Sequence, residues 1–212
     1  SVGSDEVGTG DYFGPIIVCA SYVNRKDISF LEELGVRDSK KLTDDKILKI
    51  APEIIKRIPH QEEIISNTEY NNMQDNGYNM NKIKAIYHNK AILGLMKKNN
   101  FVYDMVVVDQ FTPERNYYNY LKSEPNVFRK IKFTTKAEDK CLSVACSSII
   151  SRYLFLKEIE KMGNSLGSFI PKGASTLVDD YGKKIVQNFG KEKLRSIAKL
   201  NFKNTEKILN EN

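Results

Sequence analysis

The chain has 212 residues, 41% of them hydrophobic, enough for one ordinary domain, and no apolar run nears the ~20 residues of a bilayer span. Lys and Arg number 33 against 27 Asp and Glu, a net charge of +6 that suits a polyanionic partner. Three cysteines exclude a disulfide framework or a structural zinc site, and two histidines leave little for a His-rich metal centre or a Ser-His-Asp triad.

Any metal must therefore sit on carboxylates, which points to Mg²⁺ or Mn²⁺. No secretory signal pattern opens the sequence, so the expected compartment is a reducing cytoplasm. Nothing implies a membrane or an obligate protein partner.

In chain order, Val2 to Val7 reads as a strand, followed by the turn-rich run Gly8-Thr9-Gly10-Asp11. Pro15 to Val23 is almost wholly apolar, as expected of a strand covered on both faces. Thr43 is placed to cap a helix with Ile47, Ile50 and Ile54 on one stripe, and Pro52 predicts a kink or restart within it. Glu62 to Asn67 reads as a short strand, and Asn81 to Lys98 as a helix. Tyr103 to Asp109 reads as a buried strand ending on a carboxylate. Lys132 to Thr135 is a further strand, leading into a long helix from about Glu138 to Glu160. Gly163 to Gly167 reads as a break, Ala174 to Phe189 and Glu192 to Lys199 as helices, and the tail from Asn201 as irregular. With no repeat and no composition step, one α/β domain is the economical organisation.

Three acidic motifs carry candidate chemistry. Asp5-Glu6 ends the first strand, where adjacent side chains point to opposite faces and at most one aims squarely at a given metal. Asp109 ends Val106-Val107-Val108, and sites in open α/β sheets gather beyond the carboxyl ends of strands. Glu138-Asp139 follows Thr134-Thr135-Lys136-Ala137, where a strand runs into a helix. Each has a bland alternative: an exposed pair, a turn cap, or acids suited to a helix macrodipole. Together, Asp5, Glu6, Asp109 and Glu138 could converge as oxygen donors without a histidine. Such a cluster repels itself when empty, and two divalent ions would neutralise it and suit in-line displacement at a phosphodiester. Basic turns accompany it. Lys40 and Lys41 precede the helix capped by Thr43, Lys172-Gly173 leads into another helix, and Lys82, Lys84 and Lys90 could line a groove wall.

The run Gly3-Ser4-Asp5-Glu6-Val7-Gly8-Thr9-Gly10-Asp11-Tyr12-Phe13-Gly14-Pro15 closely resembles the opening motif of ribonuclease HIII, and Asp38-Ser39-Lys40-Lys41-Leu42 resembles a signature of the wider type 2 ribonuclease H group. Val107 to Phe111, Thr134 to Glu138 and Phe202 to Lys207 follow in the same order. The resemblance implies an α/β ribonuclease H-like fold: a mixed five-stranded sheet flanked by helices, with C-terminal helices. It implies endonucleolytic cleavage of the RNA strand of RNA/DNA hybrids, leaving 5′-phosphate and 3′-hydroxyl ends. An acidic quartet carries over onto Asp5, Glu6, Asp109 and Glu138, holding two Mg²⁺ or Mn²⁺ ions, with Asp139 the alternative fourth ligand. Gly8, Thr9 and Gly10 would meet ribose 2′-hydroxyls, and Lys40, Lys41 and Lys172 the phosphates. Residues 1–212 would form the catalytic domain, without the N-terminal substrate-binding domain usual in that branch. The alternatives are a ribonuclease HII-type junction-cutting enzyme, a DNA-directed integrase-like relative, and a non-catalytic hybrid-binding module. The Gly-Thr-Gly turn and Glu138 favour the HIII branch over HII.

Overall fold

The computed structural model describes residues 1–210. In chain order its elements are β1 (Val2–Val7), β2 (Ile16–Tyr22), α1 (Ile28–Glu33), α2 (Asp44–Arg57), β3 (His60–Ile65), α3 (Asn67–Asp75), α4 (Met80–Lys98), β4 (Val106–Asp109), α5 (Glu114–Tyr120), β5 (Ile131–Thr134), α6 (Leu142–Leu166), α7 (Thr176–Phe189), α8 (Glu192–Ile197) and α9 (Asn204–Leu209). The strands form one mixed five-stranded sheet in the order β3-β2-β1-β4-β5. β1 runs parallel to β4, with Val2 opposite Val106, and β4 parallel to β5, with Asp109 opposite Thr134. All seven residues of β2 are buried, as its unbroken apolar sequence requires. Among the described residues no helix is long and apolar enough to cross a membrane.

The chain packs into two compact units. The first comprises Ser1–Glu6, Ile17–Glu63 and Met80–Leu154. In it β1 and α6 pack closely: a Cβ on Gly3 would lie 2.3 Å from the Val144 backbone nitrogen, and the Ser147 hydroxyl donates to the Gly3 carbonyl at 2.8 Å. The small residues opening α6 thus let the helix seat directly on the strand. The second comprises Val7–Ile16, Ile64–Asn79 and Phe155–Asn212, of which residues up to 210 are described. Its core is aromatic, with Phe13 edge-on to both Tyr12 and Tyr181.

Several elements differ from the sequence expectation for local reasons. α2 runs unbroken through Pro52; the ring removes a bond to the carbonyl of Leu48, which lies on a partly exposed turn. β3 begins at His60 and stops at Ile65, because Ser66 and Glu69 form a reciprocal capping box that starts α3. β4 begins only at Val106. Its partner β1 starts opposite that residue, and Tyr103 and Met105 are exposed. Glu138 lies in a separate 3₁₀ turn, Ala137–Asp139, and α6 starts after it at Leu142. Gly163 is inside α6, and the break comes at Gly167, whose φ is +73°. Within the tail expected to be irregular, Asn204–Leu209 is helical, and residues 211–212 lie outside the described residues.

Candidate functional site

The four predicted carboxylates all belong to the first unit. β1 delivers Asp5 and Glu6, β4 delivers Asp109 beside it, and the 3₁₀ turn after β5 delivers Glu138. That turn is entered through Lys136, the one non-glycine residue with positive φ (+52°) among the described residues. The Ala137 amide donates to Asp109 Oδ1 at 2.8 Å, which ties the turn to the end of β4.

The charges bear on one another. Burial pushes the Asp5 carboxyl well above its usual range, and the negative charges of Glu6, Asp109 and Glu138 add to that rise against an amide hydrogen bond from Glu6. Asp109 is raised by burial too, then by Glu138 and Glu6, with the Ala137 amide opposing. Glu6 goes the other way. Burial would raise it, but the hydrogen bond and charge of His88, with the Lys84 ammonium, bring it down to about 2. His88 Nε2 lies 2.7 Å from Glu6 Oε2 and Lys84 Nζ 2.7 Å from Oε1, so both oxygens are held. The His88 ring is fully buried, and its Nδ1 sits 2.6 Å from the Ser4 hydroxyl. Phe111 stacks on that ring at 5.4 Å and lies beneath the Lys84 ammonium at 4.4 Å.

Glu138 and Asp139 separate clearly. The Glu138 side chain is 13% exposed and Asp139 48%. Lys40 Nζ reaches Glu138 Oε1 at 2.8 Å and Asp139 Oδ2 at 3.1 Å, which raises the lysine pKa. Glu138 Oε2 is buried with no hydrogen-bond partner. A buried, unpartnered carboxylate oxygen is costly unless something positive meets it.

The predicted basic residues divide. Lys40 reaches the acidic cluster, whereas Lys41 is 84% exposed and stands 3.8 Å from Asp38. Lys84 is not a groove-wall cation but a buried partner of Glu6. Lys172 is exposed and belongs to the second unit, as do Gly8, Thr9 and Gly10. There Gly8 has φ +96°, and a Cβ would lie 2.3 Å from the Pro15 carbonyl oxygen, so only glycine fits. A Cβ on Gly10 would meet nothing within 4 Å, which leaves that backbone open to a ligand. The Gly173 amide donates to Asp11 Oδ1 at 2.7 Å, and its carbonyl accepts from the Tyr12 amide at 2.9 Å.

His88 carries no role in the sequence reading, and Lys84 only that of a groove-wall cation. Their signal was the four-residue spacing on α4, which puts both on one helix face. Among the described residues no three His, Cys, Asp or Glu side chains already stand at metal-holding spacing. The carboxylates face one another electrostatically, but Lys40, Lys84, His88 and the Ala137 amide each engage one of them.

Comparison with known proteins assigns the architecture. The family profile for Ribonuclease HII matches residues 2–205. The chain belongs to the ribonuclease HII family. It is 49% identical to a Ribonuclease HIII of Phytoplasma mali over 208 residues, covering 98% of this chain and 72% of that relative. A Ribonuclease HIII of Lactococcus lactis is 45% identical over 209 residues, with the same shares of 98% and 72%. The solved structure of Bst-RNase HIII in complex with Mn²⁺ superposes with a TM-score of 0.95 at 41% identity, over 99% of this chain and 68% of that one. The ribonuclease H-like fold expected from the sequence is thus the fold of this ribonuclease HII family member, on its HIII branch.

Proposed function

We propose that this chain is an endoribonuclease that hydrolyses the RNA strand of RNA/DNA hybrids with divalent metal ions, leaving 5′-phosphate and 3′-hydroxyl ends. Its relatives are named for ribonuclease activity, and the Bst enzyme was solved with Mn²⁺. The observation that carries the reading onto this chain is the buried set of mutually repelling carboxylates, with Glu138 Oε2 left unpartnered. An all-oxygen donor set of this kind fits Mg²⁺ or Mn²⁺.

In this reading Asp5, Glu6, Asp109 and Glu138 hold two such ions, with Glu138 rather than the exposed Asp139 as the fourth ligand. When bound, the ions supply Lewis-acid charge for in-line displacement at phosphorus. His88 and Lys84 keep Glu6 ionised and fix its plane. Lys40, released from Glu138, gives a positive charge to a phosphate, and Lys41 and Lys172 add weaker, screened contacts. The turn of Gly8, Thr9 and Gly10, open at the Gly10 backbone, takes the 2′-hydroxyls that mark a strand as RNA. Residues 1–212 act as the catalytic domain, and the free cysteines, two of them buried, suit the cytoplasm.

The test is cleavage of labelled hybrid, single-stranded RNA and duplex RNA in Mg²⁺ or Mn²⁺, beside a DNA duplex carrying one ribonucleotide. Selective cutting of the hybrid, within runs of about four or more ribonucleotides, is expected, because each lost 2′-hydroxyl leaves a polar partner unpaired. Comparable cutting at the lone ribonucleotide would move the chain to the junction-cutting branch. Binding without cutting would make it a hybrid-binding module.

A further inference from the structure

Lys199 lies in the second unit, C-terminal to α8, and no motif or acidic cluster claims it. It has no exposed surface. Burying an ammonium is costly unless its donors are matched, and a methionine would fill the same space without that cost. Nζ lies 2.6 Å from the Asp11 carbonyl oxygen and 2.6 Å from that of Gly14, and it donates to both. These two carbonyls bracket the segment that follows Gly8-Thr9-Gly10.

The rest of that segment is pinned from the same side. The Lys199 amide donates to the Tyr12 carbonyl at 2.8 Å, the Gly14 amide donates to the Ile197 carbonyl at 2.9 Å, and Phe13 pairs with Ala198 in an antiparallel bridge. Asn67 supplies a second donor to the Gly14 carbonyl at 2.8 Å. Thr205, in α9, meets the buried Tyr12 hydroxyl at 2.9 Å. These bonds to Tyr12, Phe13 and Gly14 come from scaffold, while the backbone of Gly10, just ahead, stays open.

We propose that Lys199 is a positioning residue for substrate recognition, setting the Gly8-Thr9-Gly10 turn in the form that accepts the ribose of an RNA strand. The proposal rests on the reading of that turn given above. Lys199 touches no substrate; it acts through the carbonyls of Asp11 and Gly14. Burial lowers its pKa to about 7 against the opposing charge of Asp11, yet a neutral amine still has two N–H groups for two carbonyls. The clamp therefore holds in either protonation state. Its loss would leave both carbonyls buried without this donor, and the turn would relax.

The experiment compares Lys199→Met, Lys199→Gln and Lys199→Arg with the parent chain on a hybrid substrate, with Gly8→Ala as reference for the turn. Thermal unfolding and Mn²⁺ titration calorimetry are run on each protein. For Lys199→Met we expect KM to rise about tenfold, with kcat within about twofold and Mn²⁺ affinity unchanged. Arg, which keeps several donors, restores most of KM, and Gln, which reaches one carbonyl at most, falls between. If Lys199→Met does not fold, the ranking of Gln against Arg carries the test. A Gly8→Ala protein with raised KM beside a Lys199→Met protein with normal KM overturns the positioning role and leaves the turn's function standing. Normal KM in both overturns the reading of the turn and the proposal with it. Equal losses in kcat, KM and Mn²⁺ affinity reduce Lys199 to a general structural residue and overturn the proposal as well.

Discussion

Replacing Lys84 by methionine isolates the charge that faces Glu6. Both side chains of the pair are 11% exposed, and Nζ stands 2.7 Å from Oε1. The Glu6 carboxyl titrates at about 2 rather than 4.5, burial being more than offset by His88 and then by Lys84. A carboxyl depressed in the folded state stabilises the fold above its unfolded value of 4.5, and the contribution is lost as pH falls toward 2. At about 1.36 kcal/mol per pH unit the whole effect is on the order of 3 kcal/mol, of which His88 supplies the larger part. Lys84→Met, which leaves Glu6 buried with His88 alone, should therefore cost about 1 kcal/mol, or roughly 2–4 °C in Tm for a protein of this size. Saturating Mn²⁺ should reduce the gap by more than half, because an ion on Glu6 supplies the missing charge. The gap should also narrow as pH drops from 4.5 to 3.5. Thermal unfolding at each pH, with and without Mn²⁺, reads both effects. A gap indifferent to metal and pH would mean that Lys84 acts only by packing over Phe111, and that Glu6 holds no ion.

Three other perturbations follow from the same geometry. Asp109→Asn should abolish cleavage, a drop of about a thousandfold or more, while unfolding stays within about 1 kcal/mol, since the amide keeps an oxygen for the Ala137 N–H; near-normal turnover by the folded variant would sink the ligand assignment. Glu138→Gln should harm activity and Mn²⁺ affinity far more than Asp139→Asn, and the opposite ranking would transfer the fourth ligand to Asp139. Gly3→Ala should destabilise the chain by about 2–4 kcal/mol, read from urea unfolding, because its Cβ meets helix backbone that cannot rotate away; a loss under about 0.5 kcal/mol would show that α6 shifts freely on the sheet.

The sheet was legible where a short signal decided the element. Val2–Val7 matched residue for residue because its apolar start ends at acids and Gly8, and α2 was marked by the Thr43 cap and its isoleucine stripe. Tyr103 to Met105 looked like strand because it leads straight into Val106-Val107-Val108; pairing with β1 and β5 starts only at Val106, a long-range fact. The Ser66 and Glu69 pair that caps α3 stands in the sequence but went unread there, so the strand was carried two residues too far. Asp5, Glu6 and Asp109 could be placed from strand ends alone. The preference for Glu138 over Asp139 came from the resemblance; the coordinates add its physical reason, since the two adjacent acids differ in burial. Lys84 was placed on a groove wall and His88 escaped notice because side chains on an exposed-looking helix are ordinarily solvated, and both are buried here with Phe111 against them. Lys199 escaped for the same reason, lying in a stretch read as the end of a surface helix.

The ammonium of Lys40 spans Glu138 and Asp139. With Glu138 as a ligand through its unpartnered Oε2, an incoming divalent ion and this lysine would sit on the two oxygens of one carboxylate and repel each other, so ion binding would favour the lysine's departure. How tightly the ion binds then depends on where the lysine goes. In water it gains only hydration, whereas beside a nucleic-acid backbone it gains a phosphate. Metal and hybrid should accordingly strengthen each other's binding by the same factor, as thermodynamic reciprocity requires. The protein would hold its ions loosely between encounters and firmly only with a strand in place, a safeguard against unscheduled hydrolysis written into one lysine.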